Sequence, residues 1–159
     1  MGLWTAVFQR QALLIDIGLI SVLGGFHVVA WVTLPTSRFD PDPQRRSHAS
    51  LHSATNAGMT VAGILIPLAL LAVTLGTGGS AAFLSPGAAV DLLAAGGWLF
   101  ISLFCALLIT SLMAFEASDR SIYARKDIGI LAGLQLIFLL VGMFRVVWGL
   151  ASVVTEVVR

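Results

Sequence analysis

Residues 55–76 read TNAGMTVAGILIPLALLAVTLG, 22 residues without a charged group. A helix that crosses a bilayer needs about 20 mostly apolar residues, because lipid offers exposed backbone groups no hydrogen-bond partner. Three further stretches are comparably apolar, at about 12–34, 90–115 and 128–154. Over the 159 residues, 58% are apolar and only 11% charged, against about 25% charged in a soluble domain. The sequence therefore predicts an all-α, polytopic membrane protein: one domain over residues 1–159, a bundle of four transmembrane helices with helices two and three extended into the cytoplasm.

The edges of these segments carry their own signals. The first apolar stretch, Ala12 to Leu34, is too long for a cleavable signal core and follows a thin charged region (Arg10), so it is expected to be retained. The start Met1-Gly2-Leu3-Trp4-Thr5-Ala6 lacks the hydroxyl residue that myristoylation requires. Asp42-Pro43 has the form of an N-cap followed by proline in the first turn. A helix from Pro43 to near Leu75 is about 50 Å long, more than a hydrocarbon core of about 30 Å. Its first turns, with Arg45, Arg46, His48 and His52, are expected in water. Ser85-Pro86 repeats the cap for helix three, which is expected to run past Phe115 through Glu116 toward Arg120. Gly76 to Ser80 breaks the chain between the two.

Positive charge orients the bundle. The loop after helix one holds Arg38, Arg45 and Arg46, and the loop after helix three holds Arg120, Arg125 and Lys126. The tails hold Arg10 and Arg159, and the remaining loop holds no Lys or Arg. This bias places loops one and three in the cytoplasm and both termini outside, in a bacterial or archaeal inner or plasma membrane. Trp4 and Trp148 then mark the outer interface, and Trp31 and Tyr123 the inner one. A net charge of +1 leaves no basic footprint for nucleic acid. Cys105, the single cysteine, excludes an intrachain disulfide and a Cys-rich metal site. No catalytic motif is present, and no cofactor is expected.

Each helix carries a narrow stripe of small or polar residues. At 100° per residue, positions 3, 4, 7 and 11 apart share a face. Helix one aligns Asp16, Gly24, His27 and Trp31. Helix two aligns His52, Asn56, Thr60, Gly63, Pro67 and Thr74. Helix three aligns Ser102, Cys105 and Glu116, and helix four aligns Gln135, Gly142, Arg145 and Gly149. These stripes read as the interior faces. One account is packing, since membrane helices associate through small residues and interhelical hydrogen bonds. The other is a polar path inside a bundle or around an oligomer axis. Gly129 with Gly133, and Ala54 with Gly58 and Ala62, form separate small-residue faces that suit contacts between protomers. Pro67 frees the carbonyl of Gly63 and marks a kink or hinge.

Ionisable residues in the spans are costly, about 2.5–3.5 kcal/mol each at the bilayer centre, and usually face the bundle interior. Asp16 and Arg145 fall in the same leaflet and are expected to pair; the alternative is separate snorkelling to the interface. His27 and Gln135 fall at a similar depth and are expected to hydrogen-bond, with a proton relay as the sharper alternative. His48 and His52 sit four apart, the spacing of a metal-ligand pair, with Glu116 and Asp119 on the same side. Without HExxH or CxxC this signal is weak, and a solvated basic collar near anionic headgroups explains it as well. A bis-His haem needs a second intramembrane ligand besides His27. Glu116 is placed either in an acidic ring of an oligomeric pore or in a pair with Arg120.

Four short spans enclose little space alone. The functional expectation is a homo-oligomeric channel or transport protein in the lipid bilayer, with Asp16, Arg145, His27, Gln135, Glu116 and Asn56 as polar landmarks. On this expectation Arg145→Ala alters ion flux more than expression. The competing expectations are an accessory subunit of a larger membrane complex and, behind it, a haem- or metal-binding redox subunit.

Overall fold

Ser85 and Pro86 begin a helix in the way their order predicts. The Ser85 hydroxyl accepts the backbone N–H of Ala88 at 3.2 Å, and its carbonyl accepts that of Ala89 at 3.0 Å. The Ala88 amide, one of those that a helix start leaves unpaired, is thus satisfied, and the Ala89 bond is the first of the helix itself. In a computed structural model, which describes residues 3–33, 41–77, 84–115 and 126–157, this helix is the third of four. They are α1 (Leu3–Thr33), α2 (Pro41–Thr77), α3 (Pro86–Phe115) and α4 (Lys126–Val157). The described residues contain no strand. Three stretches are long and apolar enough to cross a membrane: Ala49–Thr77, Pro86–Met113 and Asp127–Ala151. In α1 the described side chains give the apolar stretch Leu13–Val29.

Helix α2 starts at Pro41, so Asp42 and Pro43 lie inside its first turn and not at its cap. Proline is tolerated there because first-turn amides have no intrahelical partner. The 37 residues make α2 about 55 Å long, and it continues as α-helix through Pro67. The amide of Leu84 donates to the carbonyl of Gly76 at 3.0 Å, which ties the end of α2 to the start of α3. The expected extension of α3 through Glu116 to Arg120 lies outside the described residues.

Helix α3 is the centre of the bundle. It packs along α4 on one side and α2 on the other, while α1 leans mainly on α4. Three apolar layers follow the seam. Ala69, Leu84, Ala88, Ala89 and Leu92 form one. Ala62, Ala95, Leu99 and Val146 form the next. Ile109, Met113 and Ile128 close the far end. Glycines permit the closest approaches. A Cβ on Gly142 would lie 2.6 Å from Cγ of Leu99, and one on Gly149 would lie 3.0 Å from Cγ of Leu92. Small residues matter here because apolar side chains gain little by leaving lipid, so backbones must come close for dispersion to bind them.

The stripe assigned to the interior of α2 faces outward. His52, Asn56, Thr60, Gly63, Pro67 and Thr74 are all exposed, and a Cβ on Gly63 would meet nothing within 4 Å. The interior face is Thr55, Gly58, Ala62, Ala69 and Gly76 instead. Only 17% of the spanning window of α2 is buried, against 44% in α3 and 39% in α4, so α2 is covered on one side only. The small-residue faces proposed for contacts between protomers are used within the chain. A side chain on Gly58 would overlap the Gln135 amide nitrogen, Ala62 is fully buried, and the His27 ring lies against Gly133. Ala54 is exposed.

Candidate functional site

The polar side chains of the interior gather into a charged cluster between α1, α3 and α4. Asp16 and Arg145 meet in it. Arg145 Nε donates to Asp16 Oδ1 and Arg145 Nη2 to Asp16 Oδ2, each at 2.8 Å. This is the two-pronged geometry that matches a guanidinium to a carboxylate. Both side chains are buried, 6% exposed for Arg145 and 3% for Asp16. Trp98 Nε1 donates a third hydrogen bond, to Asp16 Oδ2 at 3.0 Å. The Trp98 ring stacks on Phe138 with centroids 5.4 Å apart and planes 6° from parallel, which holds the indole N–H toward the carboxylate.

Asp91 completes the cluster, and reading the spans did not single it out. Its Oδ1 accepts a hydrogen bond from Arg145 Nη1. The signal was in the sequence: Asp91 lies 11 residues before Ser102 and 7 before Trp98, on the extension of the α3 stripe. It lies about one and a half turns beyond the start of α3, about 8 Å along the axis. Asp91 is the more open carboxylate, with its side chain 17% exposed.

Trp98→Phe isolates the indole contact, because it keeps a ring against Phe138 and removes one donor. We expect a loss of about 1.5 kcal/mol, the low end for a hydrogen bond to a charged group, since Asp16 keeps both Arg145 donors. The midpoint of unfolding in detergent checks it. An unchanged midpoint would show that the third donor contributes nothing.

A neutral layer lies deeper. Ser102 Oγ donates to the backbone carbonyl of Gln135 at 2.8 Å, and Gln135 Nε2 donates to the carbonyl of Thr55 at 3.3 Å. This layer joins α2, α3 and α4 through groups that lipid would leave unpaired. The Thr55 hydroxyl is the buried side-chain polar atom without a partner here. The expected His27–Gln135 hydrogen bond is not formed. His27 Nε2 donates to the carbonyl of Gly129 at 3.2 Å, with the ring packed on Gly133. Similar depth was not enough: Gln135 faces α2 and α3, while His27 approaches α4 from the side of α1.

The remaining landmarks stay apart from the cluster. Asn56 Nδ2 donates to His52 Nε2 at 3.2 Å on the outer face of α2. Thr60 and Thr74 return their hydroxyls to carbonyls of the same helix, Asn56 and Leu70, at 2.9 and 2.8 Å. Gly63 and Pro67 are on that outer face too. Among the described residues no group of three or more His, Cys, Asp or Glu is placed to hold a metal ion. The side chain of His48 and all of Glu116 lie outside the described residues.

No family model, no curated protein and no solved structure matches this chain.

Proposed function

We propose that this is a self-associating membrane protein, a homo-oligomeric channel or transport protein whose polar path runs between protomers along the outer face of α2. One observation carries the reading. His52, Asn56, Thr60, Gly63, Pro67 and Thr74 share a face of a helix long enough to span the bilayer, and none of them is covered within the protomer. The threonines satisfy their hydroxyls locally, and Asn56 shares one contact with His52. The Asn56 carboxamide has further donor and acceptor capacity that acyl chains cannot meet. Water in a shared path, or the same face of a second copy, meets it. Gly63 and Pro67 leave that face shallow, with room for either.

This reading moves the path away from Arg145 and Asp16, which serve inside the protomer. It also makes Asn56 the residue to test. Asn56→Leu is expected to abolish flux of potassium, chloride or protons into liposomes, down to the protein-free background. The yield of folded protein should stay within about twofold, as for a surface substitution. Native mass spectrometry from nanodiscs supplies the independent check, with one oligomer of fixed number expected. A homogeneous monomer without flux would end the channel reading. A reproducible heterologous partner would support the second reading, in which the same α2 face docks an accessory subunit onto a larger membrane complex.

A further inference from the structure

Among the described side chains the charge of the interior cluster does not balance. Two carboxylates, Asp16 and Asp91, face one guanidinium, Arg145. The described side chains include one other charged group, Asp127. It lies 18 residues from Arg145 on α4, about 27 Å along the helix. With both carboxylates ionised the cluster carries one uncompensated negative charge among apolar residues. A site of low dielectric resists an unpaired charge, and a group in such a site neutralises instead.

We infer that Asp91 is a proton-binding site within the membrane, and that the cluster holds one exchangeable proton on its free carboxylate oxygen. Geometry selects Asp91 over Asp16. Both oxygens of Asp16 accept N–H donors, three in all, so neither is left open. Asp91 is described with one such bond, from Arg145 Nη1 through Oδ1, and it is the carboxylate open enough to exchange with water. The groups facing it are Asp16 from α1 and Arg145 from α4. The titratable side chain described on α2, His52, lies at the opposite end, because α2 and α3 join through Gly76 and Leu84.

The event is a proton transfer from a hydronium ion to Asp91 Oδ2: one O–H bond of the hydronium breaks, one O–H bond forms on the carboxylate, and a water molecule is released. The transfer cancels the excess charge and weakens the hold of Arg145 on α3, leaving the guanidinium to Asp16. The start of α3 is then tied to α1 and α4 in one state and loosened in the other. This inference stands apart from the path along α2, and its test needs no flux.

Infrared difference spectra between acid and alkaline buffer, on protein in nanodiscs, test it directly. The wild type is expected to gain a protonated-carboxyl band on acidification that Asp91→Asn lacks. Asp16→Asn gives Arg145 to Asp91 alone, which favours the carboxylate, so the band should persist and move to lower pH. Circular dichroism and elution profile establish that each variant is folded. If Asp91→Asn does not fold, the Asp16→Asn comparison decides alone. The same band in folded Asp91→Asn as in wild type would overturn the assignment. So would a band lost in Asp16→Asn, or one that follows sodium concentration at fixed pH.

Discussion

Arg145→Met is expected to cost the bundle a large share of its stability. The substitution keeps an unbranched side chain of comparable length in α4 and deletes three charge-assisted hydrogen bonds. Asp16 loses two of its three donors while remaining 3% exposed, and Asp91 loses its Arg145 donor. Breaking a buried pair from one side costs about 3–5 kcal/mol, mainly because the orphaned charge stays buried. Total stability is about 5–15 kcal/mol for many proteins, so a loss of this size removes a large share of the margin and lowers the unfolding midpoint. The measurement is the yield of monodisperse protein together with its unfolding midpoint. Removing all the charge should behave differently. Asp16→Leu and Asp91→Leu added to Arg145→Met leave no ion to bury, and apolar replacement of buried ion clusters is often close to neutral. We expect the triple variant to recover most of the loss, short of the Trp98 N–H left without its acceptor. A single Arg145→Met variant as stable as wild type would show that the cluster does not hold the bundle together. Flux should vanish in step with folded protein, unlike the expectation drawn from sequence that flux would respond more.

Gly142→Leu is expected to separate α3 from α4 at the middle of the bundle. Even the first added carbon would lie 2.6 Å from Cγ and 2.8 Å from Cδ2 of Leu99, and 3.2 Å from its backbone nitrogen. Leu99 is fully buried and has no free direction in which to swing. Overpacking a tight core costs about 1–3 kcal/mol, and a four-carbon side chain here belongs at the upper end, about 3 kcal/mol or more. Gly63→Leu is the control, because a side chain on Gly63 meets nothing within 4 Å in the protomer. It should leave the protomer folded and affect only what α2 touches outside it. Leu99→Ala should return part of the stability lost in Gly142→Leu, since residues in contact couple. Equal midpoints for the Gly142 and Gly63 variants would remove the case for a close α3–α4 seam.

Different parts of this protein were legible to different degrees. Composition and run length were enough for an all-helical chain of four helices, three of them long and apolar enough to cross a membrane, because the cost of unpaired backbone in lipid leaves little alternative. The Ser85 cap was readable because capping is local chemistry: one side chain, one amide, three residues apart. The meeting of Asp16 and Arg145 followed from a simple constraint, that two opposite charges at one depth in an apolar medium have few other partners. Asp91 was overlooked because it sits close to a helix start, where an acid reads as an ordinary terminal charge. Extending the Ser102 stripe backwards by 11 residues finds it.

What the sequence determined by itself was the class and the number of helices. Which face of α2 turns inward was decided only by the tertiary structure, as was the partner of His27. In a soluble protein water sorts polar from apolar faces, and the periodicity of the sequence records the result. In lipid an apolar face is equally at home against tails or against another helix, so hydropathy carries no direction. The choice passes to shape. Thr55, Gly58, Ala62 and Ala69 fit α3 and α4 closely, and the stripe about 130° away is left facing outward.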